Sequence, residues 1–203
     1  AMVPAMERIT NLGGYAIRFG HNPEKKLQTD NPKIIDYAFS GRNEFLDVFL
    51  SAKALFFIGN TSGPIQLPKL FDTPYAMCNL IAYGHMSPHP NSLFIPKTVS
   101  NTEGILLNFD ECSDLGMFVS DGTNIFYDTK RYNELGLSIN DNSPEDILGL
   151  TNDMLNFIQG KSTSKETQNW QKIFKDRYYL GNIDRHDAGN LAPSFIETHF
   201  KLF

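Results

Sequence analysis

The sequence predicts an α/β protein with a doubly wound parallel sheet and helices on both faces. Short apolar segments alternate with amphipathic helical segments through the first half of the chain, and Gly or Pro separates them. With 203 residues, of which 41% are hydrophobic, the chain is long enough to bury a full core. Residues 1–203 are therefore predicted to form one domain.

The first half of the chain alternates strands and helices. The first helix is stopped by Gly13 and Gly14, and the strand after it leaves through Gly20 into a surface loop. The predicted elements are helix 4–12, strand 15–19, strand 34–38, helix 43–52, strand 54–58, helix 64–71 and strand 75–81. The helix at 43–52 is predicted to bury the face formed by Phe45, Leu46, Phe49 and Leu50.

The second half begins less regularly. Pro88, Pro90 and Pro96 interrupt residues 83–100, which predicts a long loop near the carboxyl edge of the sheet. Ser143 and Pro144 then mark a clear helix start. The remaining predicted elements are a short helix at 108–115, extended chain at 121–128, a strand ending at 139, and helices at 143–160, 165–179 and 191–203. The helices within 143–203 are expected to pack on the domain.

Composition excludes several classes of function. The 18 basic and 23 acidic residues give a net charge of -5, which argues against broad contact with nucleic acid or an anionic membrane. No apolar stretch approaches the roughly 20 residues of a membrane span. Cys78 and Cys112 lack metal-like spacing, which favours a reducing compartment. We therefore expect a cytoplasmic protein without a metal or cofactor.

The segment that ends the third predicted strand resembles a phosphate site. Asn60, Thr61, Ser62 and Gly63 follow an apolar strand, and Pro64 then opens a helix. A helix start presents unpaired backbone N–H groups and the positive end of the helix dipole, so it stabilises an anion. An ordinary capped strand–turn–helix junction uses the same residue types. Both interpretations stay open from these residues alone.

Seven segments, in order along nearly the whole chain, resemble a bacterial glycosyltransferase family of GT-B-like fold. The segments are GGYAIRFG at 13–20, IDYA at 35–38, DVFL at 47–50, FFIGNTSG at 56–63, LFIPK at 93–97, NSPEDI at 142–147 and LAPSFI at 191–196. The resemblance implies a Rossmann-like domain of the GT-B C-terminal type, which binds the nucleotide sugar. The N-terminal half of such enzymes, which supplies the acceptor side, is expected to belong to a longer chain.

The implied reaction transfers a sugar from a nucleoside-diphosphate sugar to an acceptor hydroxyl, in surface glycan synthesis. Such an enzyme would lie in the cytoplasm or at the periphery of the inner membrane. The departing nucleoside diphosphate gains negative charge, which helix starts can stabilise without a metal. Asn60, Thr61, Ser62 and Gly63 are the predicted diphosphate cradle. Two alternatives are a 2-epimerase-like enzyme acting on a nucleotide sugar and a non-catalytic phosphate-binding module.

Four further residues are candidates for this site: Arg18, Gly20, His85 and Glu111. Arg18 leaves the first predicted strand where it could bind a phosphate with two hydrogen bonds, or else pair with Asp36, and Gly20 would keep the loop close to a ligand. His85, in the Pro-rich loop, is a candidate acid–base group.

Glu111 is the second catalytic candidate, because a carboxylate holds ribose hydroxyls in many GT-B-like sites. It could equally be an ordinary carboxylate at a helix start. The family has Phe-Arg-Glu where this chain has Phe109-Asp110-Glu111. The basic contact at that position is therefore lost.

Overall fold

The computed structural model describes residues 1–21, 23–81, 83, 89–118, 128–178 and 189–203. Helices and strands are interspersed along these residues. The helices are α1 Val3–Asn11, α2 Glu44–Lys53, α3 Gln66–Leu70, α4 Phe109–Asp114, α5 Thr129–Glu134, α6 Pro144–Ile158, α7 Lys165–Tyr178 and α8 Pro193–Thr198. The strands are β1 Ala16–Ile17, β2 Ile34–Ile35, β3 Phe57–Gly59, β4 Tyr75–Leu80, β5 Ser92–Pro96, β6 Thr98–Ser100, β7 Ser138–Asn140 and β8 Asn190–Leu191. Short 3-10 helices at Gly63–Ile65 and Phe200–Leu202 precede α3 and follow α8.

A four-stranded parallel sheet in the order β3-β4-β5-β8 lies at the centre, with helices around it. The chain is therefore an α/β protein with a parallel sheet, as predicted. Two smaller pairs stand apart in the described residues: β1 with β2, which is parallel, and β6 with β7, which is antiparallel. Phe19, just after β1, packs on Phe57 of β3 with ring centroids 5.4 Å apart. This contact places the β1–β2 pair beside the edge of the main sheet.

The prediction of a loop throughout 83–100 is wrong for residues 92–96, which form the fully buried strand β5. Pro96 is the last residue of β5 and Pro90 precedes the strand, so neither interrupts its interior. Leu93, Phe94 and Ile95 form a continuous apolar run, as expected of a strand covered on both faces.

The end of the chain also differs from the prediction. Residue 191 belongs to a strand, because Asn190 and Leu191 pair in parallel with Leu93 and Phe94 of β5. The last helix therefore begins at Pro193, in the position where its missing N–H costs nothing. Within the part of the chain that the structure describes, no helix has the length and apolar character to cross a membrane.

Helix α2 forms where expected but presents the opposite face to the protein. Phe45 and Phe49 are 73% and 46% exposed, whereas Asp47 and Ser51 are buried. The predicted burial is wrong for Phe45 and Phe49, because α2 docks through polar groups, whereas Leu46 and Leu50 of the same predicted face are half-buried. Tyr37 Oη donates to Asp47 Oδ1 at 2.8 Å, and Arg42 forms an ion pair with Asp47 Oδ2 at 2.6 Å.

The start of α6 is fixed by a capping box. Ser143 Oγ accepts from the backbone N–H of Asp146, and the Asp146 carboxylate accepts from the backbone N–H of Ser143 at 2.9 Å. His199 Nε2 lies 2.8 Å from Asp146 Oδ1, which joins the end of α8 to α6. Burial raises the pKa of the Asp146 carboxyl, but the hydrogen bonds from His199 and Ser143 outweigh it, so its pKa is lowered.

Replacement of Asp146 by Asn is expected to destabilise the fold by about 1–2 kcal/mol near neutral pH. A lowered pKa means that the ionised carboxylate favours the folded state. Its contribution is present above the unfolded-state pKa and is lost as pH falls through the folded-state pKa. Urea unfolding of wild type and Asp146→Asn should therefore differ most above about pH 5 and converge toward about pH 2.

Glu145→Gln is the matched control, since Glu145 lies exposed in the same helical turn. It should lower stability by no more than a few tenths of a kcal/mol, about the value of an exposed charge near a helix dipole. A difference between wild type and Asp146→Asn that stayed constant from neutral to strongly acidic pH would contradict the assignment of the carboxylate.

Candidate functional site

Polar side chains gather where the strands of the central sheet end. Asn60 follows β3, Asn79 is the penultimate residue of β4, and Lys97 follows β5. Because β3, β4 and β5 are parallel, these residues share the carboxyl edge of the sheet. Ligands of open α/β proteins bind in the crevice outside this edge.

Two asparagines bind each other at the centre of this edge. The backbone N–H of Asn79 donates to Asn142 Oδ1 at 2.5 Å, and the backbone N–H of Asn142 donates to Asn79 Oδ1 at 2.7 Å. Asn142 Nδ2 also donates to the carbonyl of Pro96 at 2.7 Å. Asn142, only 5% exposed, therefore holds the ends of β4 and β5 to the start of α6.

The backbone at Asn79 is unusual in a way that serves this contact. Asn79 has a φ of +54°, and the pairing of β4 with β5 shifts register between Met77 and Leu80. Asn tolerates the left-handed region better than most residues because its short polar side chain bonds locally. At this irregularity the side-chain amide of Asn79 contacts both Asn60, which follows β3, and Asn142, which precedes α6.

Asn60 joins the same network from β3. Its Oδ1 accepts from Asn79 Nδ2 at 3.3 Å and lies 3.2 Å from Cys78 Sγ. Burial raises the pKa of the Cys78 thiol to about 11, so the sulfur stays protonated and acts as a donor. The first residue of the predicted cradle is thereby fixed in position by β4.

The next residues, Thr61, Ser62 and Gly63, are exposed and almost free of internal bonds. Ser62 Oγ makes one long hydrogen bond, to the carbonyl of Asn60 at 3.4 Å, and does not cap the helix that follows. Among the described residues, none accepts a hydrogen bond from the backbone N–H of Thr61, Ser62 or Gly63. A Cβ added to Gly63 would meet no atom within 4 Å. These donors are open to an anion from solvent.

Charges at the edge favour the β3 side for that anion. Lys97 Nζ lies 2.6 Å from Asp141 Oδ1, so its charge is already paired. The first turn of α6 carries the carboxylates Glu145 and Asp146, and the capping box engages the backbone N–H groups of Ser143 and Asp146. An anion would therefore be repelled by α6, whereas the exposed backbone N–H groups of residues 61–63 are open to it.

Arg18 and Gly20 lie in the β1–β2 unit. Arg18 Nη1 is 3.3 Å from both carboxylate oxygens of Asp36 and donates to the carbonyl of Lys25 at 2.8 Å. Of the two roles considered for Arg18, the structure has the pair with Asp36. Gly20 has a φ of +151°, which residues other than glycine rarely adopt. The backbone conformation alone therefore favours glycine at this position.

Of the two predicted catalytic residues, the structure describes only Glu111. His85 lies outside the described residues. Glu111 completes the capping box of α4: its Oε2 accepts from the backbone N–H of Asn108 at 2.8 Å, and Asn108 Oδ1 accepts from the backbone N–H of Glu111 at 2.8 Å. Of the two roles considered for Glu111, the structure thus has that of an ordinary carboxylate at a helix start.

His89, a second histidine of the predicted Pro-rich loop, lies just before β5 and therefore at the opposite, amino edge of the sheet. Its Nε2 is 3.2 Å from Asp72 Oδ1, and its carbonyl accepts from Ser92 Oγ at 2.6 Å. The prediction that this loop residue lies near the carboxyl edge is wrong, because β5 starts at Ser92.

Sequence reasoning missed Asn79, which bonds to Asn60, and the other polar residues at this edge of the sheet, Lys97, Asp141 and Asn142. One signal was available, since Asn79 is the only amide within the otherwise apolar run at 75–81. A buried polar side chain needs a partner. The partner, Asn142, is 63 residues away in sequence, and nothing local identifies it.

Comparison with known proteins gave no match. No family model, no curated protein and no solved structure matches this chain.

Removal of the Asn142 side chain is expected to cost about 2–4 kcal/mol of folding stability. Asn142→Ala leaves the Asn79 N–H without its acceptor and the Pro96 carbonyl without its donor. Chemical denaturation should show a lower midpoint with an unchanged slope.

Asn133→Ala is the control for this change, since Asn133 is exposed on α5. It should alter stability by less than about 0.5 kcal/mol. Equal effects of the two substitutions would show that the buried amide does not hold this edge together.

Proposed function

We propose that this chain is the nucleotide-sugar-binding domain of a GT-B-like glycosyltransferase. The observation that supports it best is the convergence of β3, β4 and α6 on Asn79, which fixes Asn60 and leaves the donors of residues 61–63 open at the carboxyl edge. The parallel sheet and the resemblance of seven ordered segments to that family agree with it. The finer fold assignment, the C-terminal half of a GT-B enzyme, is part of this proposal.

The diphosphate would be held by backbone and hydroxyl donors. The backbone N–H groups of Thr61, Ser62 and Gly63 are exposed and make no hydrogen bond within the described residues, so they are available to phosphate oxygens. The hydroxyls of Thr61 and Ser62 add two donors, and Gly63 lets the phosphate approach the main chain. Asn60 would anchor this loop, since its side-chain oxygen already contacts Cys78 and Asn79 of β4.

The same donors would act during the reaction. As the acceptor oxygen bonds to the anomeric carbon, the bond from that carbon to the diphosphate oxygen breaks and negative charge moves onto the diphosphate. Donors fixed before the reaction stabilise this charge more than they stabilise the bound substrate, and therefore lower the barrier. His85 is retained as the proposed group that takes the acceptor proton, and the acceptor would be held by a second domain.

Calorimetric titration with UDP, GDP, ADP and CMP tests the proposal. We expect one nucleotide to bind selectively and Thr61→Ala/Ser62→Ala to weaken that binding at least about tenfold, because each hydroxyl bond to a charged phosphate contributes about 1.5 kcal/mol or more. Both residues are exposed and support little of the fold, so the variant should unfold like wild type.

Ser162→Ala/Thr163→Ala is a matched control, because these residues are an exposed Ser–Thr pair beyond the other end of α6. It should bind the nucleotide as wild type does. Absence of binding to all four nucleotides, or equal weakening in both double variants, would contradict a donor site at residues 60–63. Binding without selectivity among the bases would favour a phosphate-binding module instead, and conversion of the bound sugar without an acceptor would favour a 2-epimerase-like enzyme.

A further inference from the structure

A cleft opens between α6, α7 and α8 on the amino side of the central sheet. The sheet contributes Leu93, near the start of β5, and Asn190, at the start of β8, and the three helices form the walls. The cleft has a volume of about 670 Å³, within the range of sites that bind small molecules. The loop at 60–63 follows β3 at the carboxyl edge, so the cleft is separate from the site proposed for a nucleotide.

One carboxylate in the wall of the cleft is held in a fixed orientation. Asp153 Oδ2 accepts from both the backbone N–H and the hydroxyl of Ser194, at 2.8 and 2.6 Å. A Cβ added to Gly149 would lie 2.6 Å from Ser194 Oγ, so the missing side chain at that position lets Ser194 come this close to α6. None of the hydrogen bonds among the described residues reaches Asp153 Oδ1. Capping the start of α8 therefore uses only one oxygen and leaves the other open to a ligand.

The cleft carries negative charge that no cation among the described residues balances. Glu197 of α8 lines the same cleft, and neither Glu197 nor Asp153 forms an ion pair with the described residues. Lys161, the one basic residue in the lining, donates instead to Asn156 Oδ1 at 3.2 Å. Burial raises the pKa of the Asp153 carboxyl, and with the charge of Glu197 it outweighs the hydrogen bonds from Ser194. A half-buried carboxylate without a cation is costly, so the cleft favours a positively charged group.

We propose that the cleft binds a small organic amine that carries hydroxyl groups. Its ammonium group would donate to Asp153 Oδ1 and to the Glu197 carboxylate, in charge-assisted hydrogen bonds that are stronger than neutral ones. Its carbon skeleton would contact Phe157 and Pro193, which also line the cleft. The side-chain amide of Asn190 makes no hydrogen bond within the described residues and would bond a hydroxyl of the ligand.

The donor set favours an amine over a metal ion. Among the residues that the structure describes, no group of three or more His, Cys, Asp or Glu side chains could hold a metal ion. Mg²⁺ and Ca²⁺ require about six or more oxygen ligands in a defined geometry. An ammonium group needs only acceptors for its N–H donors, and the open oxygens of Asp153 and Glu197 supply them.

Titration of the chain with glucosamine, followed in the amide NMR spectrum, tests the proposal, with glucose as the uncharged control ligand. We expect glucosamine to shift the signals of residues around the cleft, Phe157 and Asn190 among them, and to leave those of residues 60–63 in place. Glucose should bind at least about tenfold more weakly, because it has a hydroxyl where glucosamine has the ammonium group.

Two matched variants locate the ammonium group. Glu197→Gln should weaken glucosamine binding at least about fivefold, and because Glu197 is exposed the variant should unfold like wild type. Glu166→Gln is the control, because Glu166 is exposed in the first turn of α7 and does not line the cleft. It should bind glucosamine as wild type does.

Three results would each overturn the proposal. The first is a glucosamine Kd above about 10 mM. The second is equal affinity for glucosamine and glucose. The third is equal weakening by Glu197→Gln and Glu166→Gln, which would reduce the effect to the overall charge of the chain. Nucleotide binding at residues 60–63 is measured separately, so neither proposal stands or falls with the other.

Discussion

The exchange of hydrogen bonds between Asn79 and Asn142 is the constraint on which the carboxyl edge depends. An unpaired amide at a site as buried as Asn142 would cost several kcal/mol, so its three bonds must form together. Those bonds fix the last residues of β4, the end of β5 and the residue before the α6 cap. Asn79 in turn positions Asn60, because its Nδ2 donates a hydrogen bond to Asn60 Oδ1. The position of the loop at 60–63 thus depends on the hydrogen bonds between Asn79 and Asn142, in which the loop takes no part.

The elements that sequence predicted well are those defined by local signals. The capping residues Asn43, Asn108 and Ser143 each begin a helix, because a side-chain acceptor at that position satisfies N–H groups of the same turn. Strand β5 was missed because a strand buried on both faces shows no alternation, and the prolines around it suggested a loop. Phe45 and Phe49 of α2 were assigned to the core because helical periodicity identifies an apolar face but not what covers it.

The same distinction holds for the site. The exposed donors at 60–63 follow from a local pattern of strand, small polar residues, Gly and Pro. Arg18 and Glu111 also have the residue types that bind nucleotides, yet both are engaged in contacts that a local pattern equally explains, with Asp36 and in the α4 capping box. The partners that fix Asn60 could not be predicted, because strand pairing and the crossing to α6 bring them together.

The buried carboxylate of Asp47 and the exposed apolar stripe are two sides of one arrangement of α2. Burying a carboxylate is costly unless it is paired, and Asp47 requires both Tyr37 and Arg42 to remain folded inward. Had α2 been turned to bury Phe45 and Phe49, hydrophobic burial would have stabilised the domain more simply. Polar docking instead leaves Phe45, Val48 and Phe49 exposed. The orientation of α2 is therefore set by the hydrogen bond and ion pair of Asp47 rather than by burial of its largest apolar side chains.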